Sequence, residues 1–186
     1  MPINDISNEG RDQMVKCVDY FKVQLGKVRT GRASGSLIDG VNVDYYGQPT
    51  PVSQVGSVSA PDARTIIIQP YDRSIISDIE KAIRAADLGF NPQNDGTIIR
   101  IPVPPLTEDR RKEFVKMCKK YAEEAKVAIR NVRRDMIDGL KAEEKSKLIS
   151  EDDRKRGEDD VQKITDEYVK QVDQILDKKE KELLED

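Results

Sequence analysis

Apolar side chains recur at intervals of three and four residues in three separate segments, at about 4–29, 107–145 and 150–185. This spacing places the apolar side chains of each segment on one face of a helix. Since none of these helices can bury its face alone, the pattern predicts a long antiparallel three-helix bundle. The predicted core positions are Met14, Cys17, Val18, Phe21, Leu25 and Val28; Phe114, Met117, Tyr121, Ala125, Ala128, Val132 and Met136; and Val161, Ile164, Tyr168, Val172, Ile175 and Leu183.

Both C-terminal helices have clear predicted starts. Thr107 is a good N-cap and is followed by two acidic residues, and Ser150 is followed by three. Hydroxyl caps and negative charge both stabilise the N-terminal end of a helix. The first of these helices has no strong breaker before about residue 145, so it should be about 60 Å long.

The middle of the chain has a different pattern. Residues 30–105 contain eight of the nine prolines and seven of the eleven glycines. Short β-branched runs at 41–46, 52–58, 64–70 and 97–103 predict strands, and 74–89 predicts a helix that ends at a glycine. We therefore predict an α+β fold, in which a small β/α/β domain (30–105) is inserted into a bundle formed by 1–29 and 106–186. The chain crosses between the domains twice, which predicts a hinge at Gly31, Pro104 and Pro105.

The distribution of charge changes the picture that the totals give. The chain has 32 basic and 35 acidic side chains, but residues 110–134 carry an excess of +7 and residues 143–186 an excess of −6. On a helix of about 100° per residue, one face of the second bundle helix is predominantly basic. That face contains Lys112, Lys116, Lys119, Lys126, Arg130, Arg133, Arg134 and Lys141. A solvated bundle face is also charged, but is usually mixed in sign, so the stripe favours binding to RNA or DNA phosphate.

Other chemistry finds little support in the sequence. Without histidine the chain has no Ser-His-Asp or Cys-His pair and no histidine-bound metal. The segment 29–35 lacks the Gly-Lys-Ser/Thr of a phosphate-binding loop, and Cys17 and Cys118 lie at or beside apolar helical positions, as inert thiols do. We expect no enzyme activity, cofactor, metal or membrane span, and a cytoplasmic monomer. The main alternative is a helical chaperone or scaffold that binds a protein client.

Several long motifs resemble the bacterial ribosome recycling factor family, in collinear order over essentially the whole chain. They are KVRTGRAS (27–34), VDYYG (43–47), DRSIISDIEKAI (72–83), PPLTEDRRKE (104–113), RNVRRD (130–135) and ISEDD with DDVQKITDE (149–167). The resemblance implies an L-shaped protein with the dimensions of transfer RNA. It also implies binding to the large ribosomal subunit after termination, and splitting of the ribosome into subunits, with release of mRNA and tRNA, by elongation factor G and GTP.

The resemblance also implies which residues contact ribosomal RNA. Arg130, Arg133 and Arg134 lie in the RNVRRD motif, and Arg133 is the contact that we expect to matter most. Lys119 and Lys126 share the basic stripe with them. Near the hinge, the matching family positions are Arg29, Arg32, Arg110 and Arg111, whose role would be either RNA contact or support of the interdomain angle.

Overall fold

A computed structural model of the protein describes residues 3–28 and 31–185. The chain forms two compact units, Met1–Arg29 with Glu108–Glu185 and, separately, Thr30–Thr107. Among the described residues no helix is long and apolar enough to cross a membrane. In chain order the elements are α1 (Ile3–Gly26), β1 (Asn42–Tyr45), β2 (Gln48–Pro51), α2 (Val52–Val55), β3 (Gly56–Asp62), β4 (Thr65–Pro70), α3 (Ile76–Ala85), β5 (Gln93–Asn94), β6 (Ile99–Pro102), α4 (Glu108–Lys145) and α5 (Glu151–Leu184).

The first unit is the predicted three-helix bundle, in which each of α1, α4 and α5 packs against the other two. In α1 and α5 the buried face is close to the predicted one, with Phe21 and Val172 fully buried. In α4 the buried face is rotated from the prediction and consists of Cys118, Ala122, Ala125, Ile129, Val132, Met136 and Leu140. Met117 was predicted in the core but is 41% exposed. The buried face combines small side chains with larger ones such as Ile129 and Leu140.

The turn between α4 and α5 is closed by a capping box. The Ser150 hydroxyl accepts a hydrogen bond from the Asp153 backbone N–H at 3.1 Å, and the Asp153 carboxylate accepts one from the Ser150 backbone N–H at 3.2 Å. The Ser150 hydroxyl also donates to the Asp153 carboxylate at 2.7 Å, and this bond, together with the one from the Ser150 backbone N–H, holds the pKa of Asp153 below its ordinary value. The predicted N-cap of the third bundle helix is therefore confirmed, and the reciprocal bonds satisfy two otherwise unpaired backbone donors.

The second unit is built on a four-stranded antiparallel sheet with the strand order β3-β4-β6-β5. The isoleucines of α3, Ile79 and Ile83, share one core with Ile66 and Ile68 of β4 and the isoleucines of β6. A separate hairpin pairs β1 with β2. The small sheet-and-helix unit thus has its own core, formed largely from β-branched side chains.

Two parts of the second unit differ from the predicted strands. Residues 52–55 form the short helix α2 and not the start of a strand, with Val52 and Val55 buried one turn apart. Residues 48–51 form strand β2 although Pro49 and Pro51 argue against a strand. The prolines fit because β2 pairs with a strand on one side alone, so its other edge needs no backbone donors.

Candidate nucleic-acid interface

Six of the eight residues of the predicted basic stripe of α4 fall into two rows in the structure. Of the other two, Lys112 pairs with Glu108 on its own helix at 2.7 Å, and Lys141 is exposed further along α4. One row, which we call the outer row, points away from the bundle and contains Lys116, Lys120, Arg130 and Arg134. All four are exposed, and none forms an ion pair with any residue in 3–28 or 31–185. Lys120 was not part of the predicted stripe because it lies about 80° around the helix from Arg130.

The second row runs along the boundary between α4 and α5 and is called the inner row. It contains Lys119, Lys126 and Arg133, which are spaced seven residues apart. Each of the three is turned towards α5. Lys119 Nζ lies 3.9 Å from a carboxylate oxygen of Glu180, a distance at which the charges attract without a hydrogen bond.

Lys126 is the most deeply placed member of the inner row. Its side chain is 15% exposed, and its Nζ lies 2.6 Å from Asp173 on α5 and 3.5 Å from Glu123 on α4. The hydrogen bond to Asp173 raises the pKa of Lys126 above its ordinary value. The sequence placed Lys126 on an open basic face, whereas the structure places it in an ion pair that joins the two helices.

Arg133 lies at the same boundary but has no acidic partner among the described residues. It is half-buried, and its Nη1 donates a hydrogen bond to Oε1 of Gln162 on α5 at 3.1 Å. Its Nε is buried and has no hydrogen-bond partner in the described part of the chain. Arg133, which we expected to be the most important RNA contact, therefore lies at the boundary of α4 and α5 without a carboxylate in the described residues to offset its charge.

The remaining predicted site residues lie around the ends of the two units. Arg110 is exposed and its Nη1 is 3.1 Å from Glu113, while Arg111 is half-buried. Arg32 is exposed, and the predicted Arg29 lies outside the described residues. The structure thus gives α4 two neighbouring arginines at its first turn.

The predicted hinge elements have distinct backbone properties. Gly31 has a φ of +84°, a conformation that side-chain-bearing residues rarely adopt, and its carbonyl accepts a hydrogen bond from Arg64 Nη1 at 3.4 Å. Pro104 and Pro105 are exposed and lie between the end of β6 and the start of α4, outside any helix or strand.

The residues that hold the inner row were not found from the sequence. They are Gln162, Asp166, Asp173 and Glu180, all on α5, for which the sequence analysis noted only a net excess of acid. A signal was available, because acids recur every seven residues at 166, 173 and 180 and so match the spacing of the inner row. Long antiparallel helices place such equally spaced charges opposite one another.

The comparisons with known proteins agree over almost the full length. The family model described as "Ribosome recycling factor" matches residues 21–184. The ribosome-recycling factor of Oleidesulfovibrio alaskensis is 56% identical over 177 residues, which are 95% of this chain and 96% of the relative. That of Syntrophomonas wolfei is 51% identical over 183 residues, 98% of this chain and 99% of the relative.

Solved structures give the same result for the fold. A solution structure of the ribosome recycling factor is 40% identical with a TM-score of 0.74, covering 99% of this chain and 98% of the other. A second match comes from models of the T. thermophilus ribosome recycling factor and E. coli elongation factor G bound to the E. coli post-termination complex. It is 45% identical with a TM-score of 0.64, covering 99% of this chain and 100% of the other. With a family model that spans most of the sequence and relatives above 50% identity, this chain belongs to the ribosome recycling factor family.

Proposed function

We propose that this chain recycles ribosomes after termination of protein synthesis. It binds the post-termination ribosome and, with elongation factor G and GTP, promotes splitting into subunits and release of mRNA and tRNA. Family membership supports this function, as does the similar protein that is placed with elongation factor G on a post-termination complex. The chain acts in the cytoplasm, where its substrate lies, as a monomer. It is a translation factor without catalysis of its own, since the GTP is hydrolysed by its partner.

The bundle docks on RNA of the large ribosomal subunit through α4. The observation that carries this proposal is the outer row, four exposed cations on one helix without an acidic partner in the described residues. Arg130 and Arg134 present planar guanidinium groups, which suit phosphate oxygens. Their charges are not neutralised within the bundle, so release of counterions from RNA supplies binding free energy.

The other residues predicted to contact RNA differ in the side chains that surround them. Arg133 contributes through its open side, whereas Lys126 is paired with Asp173 of α5 and acts chiefly by holding the bundle together. Lys119 is 60% exposed and lies 3.9 Å from Glu180, so it stays available to RNA. Arg110 and Arg111 lie in the first turn of α4. These two residues, with Arg29 and Arg32, contact RNA or support the interdomain angle. Rotation of the small unit about Gly31 and the Pro104–Pro105 pair converts the force of the GTPase into subunit separation.

The test of the docking surface is the salt dependence of binding to purified large subunits. We expect the Arg130→Ala/Arg134→Ala variant to bind more weakly, with a log–log salt slope smaller by about 1.5, because each lost phosphate contact removes about 0.7–0.9. Lys170→Ala is the matched control, since Lys170 is exposed on α5 and has no acidic partner in the described residues. Subunit splitting with elongation factor G and GTP, followed by light scattering, should fall in parallel.

Two outcomes would contradict the proposal. An unchanged salt slope in the folded double variant would show that the outer row does not contact phosphate. Failure of the wild-type chain to split ribosomes in the presence of elongation factor G and GTP would show that the chain is not a recycling factor.

A further inference from the structure

The contacts between α4 and α5 follow one register. Basic residues recur every seven positions at Lys119, Lys126 and Arg133, and acidic residues recur every seven positions on α5 at 180, 173 and 166. Because the two helices run antiparallel, ascending numbers on α4 meet descending numbers on α5. Lys119 meets Glu180 and Lys126 meets Asp173. The same register places Arg133 opposite Asp166.

The third position in this register differs from the other two. Arg133 forms no ion pair with Asp166; the amide of Gln162 lies between them. Arg133 Nη1 donates to Gln162 Oε1 at 3.1 Å, and Gln162 Nε2 donates to Asp166 Oδ1 at 2.8 Å. Gln162 and Asp166 are four residues apart and therefore share one face of α5.

This arrangement keeps two opposite charges apart. A glutamine amide carries both an acceptor and donors, so one side chain can satisfy the guanidinium and the carboxylate at once. Without it, Asp166 would be positioned to pair with Arg133 as Asp173 pairs with Lys126. A carboxylate in such a pair would offset the charge of the guanidinium and occupy up to two of its N–H donors, which would weaken its attraction for a phosphate.

We infer that Gln162 is a positioning residue, which holds Asp166 away from Arg133 and so leaves the Arg133 guanidinium available to an RNA phosphate. The inference rests on the proposed docking of α4 on ribosomal RNA. Gln162 uses one N–H of Arg133, and the planar guanidinium retains further donors on its open side. Lys126 lies seven residues before Arg133 in the same register. Its ammonium group is paired with Asp173 and is therefore not available to a phosphate in this way.

The experiment measures the affinity of four variants for purified large ribosomal subunits. Gln162→Ala should weaken binding about three- to fivefold, the size expected when an exposed ion pair competes with the ligand. Asp166→Ala should not weaken binding, because Arg133 then has no competing acid. The Gln162→Ala/Asp166→Ala variant should return to within about twofold of the wild type. Arg133→Ala should weaken binding more than any of these.

Matched controls separate this effect from general changes to α5. Gln174→Ala removes an exposed glutamine from the same helix, and Asp159→Ala removes an exposed acid. Neither side chain has a hydrogen-bond or ion-pair partner among the described residues. Both controls should leave the affinity unchanged. Thermal unfolding of each variant checks that the bundle is intact. Recovery of affinity in the Gln162→Ala/Asp166→Ala variant is an outcome that loss of folding could not produce.

The outcomes distinguish this inference from the proposed function. If Arg133→Ala weakens binding while Gln162→Ala does not, the inference is wrong and the docking proposal stands. If Gln162→Ala weakens binding and removal of Asp166 fails to restore it, Gln162 does not act by holding Asp166 away. If Arg133→Ala leaves the affinity unchanged, Arg133 is not an RNA contact and both ideas about it fail.

Discussion

Replacing Lys126 should affect the stability of the bundle far more than its affinity for the ribosome. Its ammonium group is 2.6 Å from Asp173 and its side chain is 15% exposed, so the lysine half of the pair is largely shielded from water. Lys126→Met keeps most of the side-chain volume but leaves Asp173 without its cation. Removing one partner of a fully buried pair costs about 3–5 kcal/mol. Asp173 is 49% exposed and can be rehydrated, which brings the expected loss down to about 1–2 kcal/mol.

The loss can be measured by unfolding the protein in urea while following helical circular dichroism. In thermal unfolding, a loss of about 1.5 kcal/mol of unfolding free energy would lower the Tm of a chain of this size by about 3–6 °C. Lys120→Met is the matched control, because Lys120 is exposed on the same helix and has no acidic partner in the described residues. Its stability should change by less than about 0.5 kcal/mol, while its ribosome affinity should fall, since it belongs to the outer row.

Binding by the double variant Lys126→Met/Asp173→Asn decides between structure and RNA contact. This variant removes the pair without changing the net charge, so its affinity for large subunits should lie within about twofold of the wild type. A tenfold loss of affinity in the folded double variant would refute the assignment of Lys126 to the bundle. It would mean that the lysine leaves Asp173 and contacts RNA.

Two further predictions concern the cap of α5 and the hinge. Because the folded-state pKa of Asp153 is lowered, its carboxylate stabilises the fold fully at pH values above the ordinary aspartate pKa of about 4. This stabilisation is lost as the pH falls through the lower folded-state pKa. Asp153→Asn should therefore be less stable than the wild type at pH 7 in urea unfolding, and the deficit should shrink as the pH falls below the ordinary aspartate range. A deficit independent of pH would exclude the carboxylate as its source. A crosslink that fixes the two units against each other should preserve binding to large subunits and abolish splitting in the light-scattering assay. Normal splitting by the crosslinked protein would show that rotation at Gly31 and Pro104–Pro105 is unnecessary.

The bundle could be predicted because its helices are long and their apolar spacing is regular. The predicted stripe of α4 included Met117, whereas the structure buries Cys118, Ala122 and Ile129. Hydrophobicity along one helix does not show which of two adjacent faces will meet two neighbours. That choice depends on where the two neighbouring helices lie around α4, which its own sequence does not contain.

The site was predictable as a charged face but not as two rows. The angle around α4 that separates Arg130 from Lys126 is about 40°, too small for the sequence to say which side chain turns outward. The position of α5 makes the distinction, because it brings Asp173 to Lys126 and Gln162 to Arg133. A helical wheel of one helix contains no information about the acids of another.

The hairpin of β1 and β2 has a consequence for association between copies of the chain. The Val52 backbone N–H donates to the Val41 carbonyl at 3.1 Å, so the N–H of Thr50, two residues earlier, faces the same partner strand. The nitrogens of Pro49 and Pro51 therefore face the opposite edge, and neither carries a hydrogen. An incoming strand would find no donors at these two positions, which protects the hairpin from edge-to-edge aggregation. The same prolines that argue against a strand in the sequence thus help to keep copies of the chain from pairing through this edge.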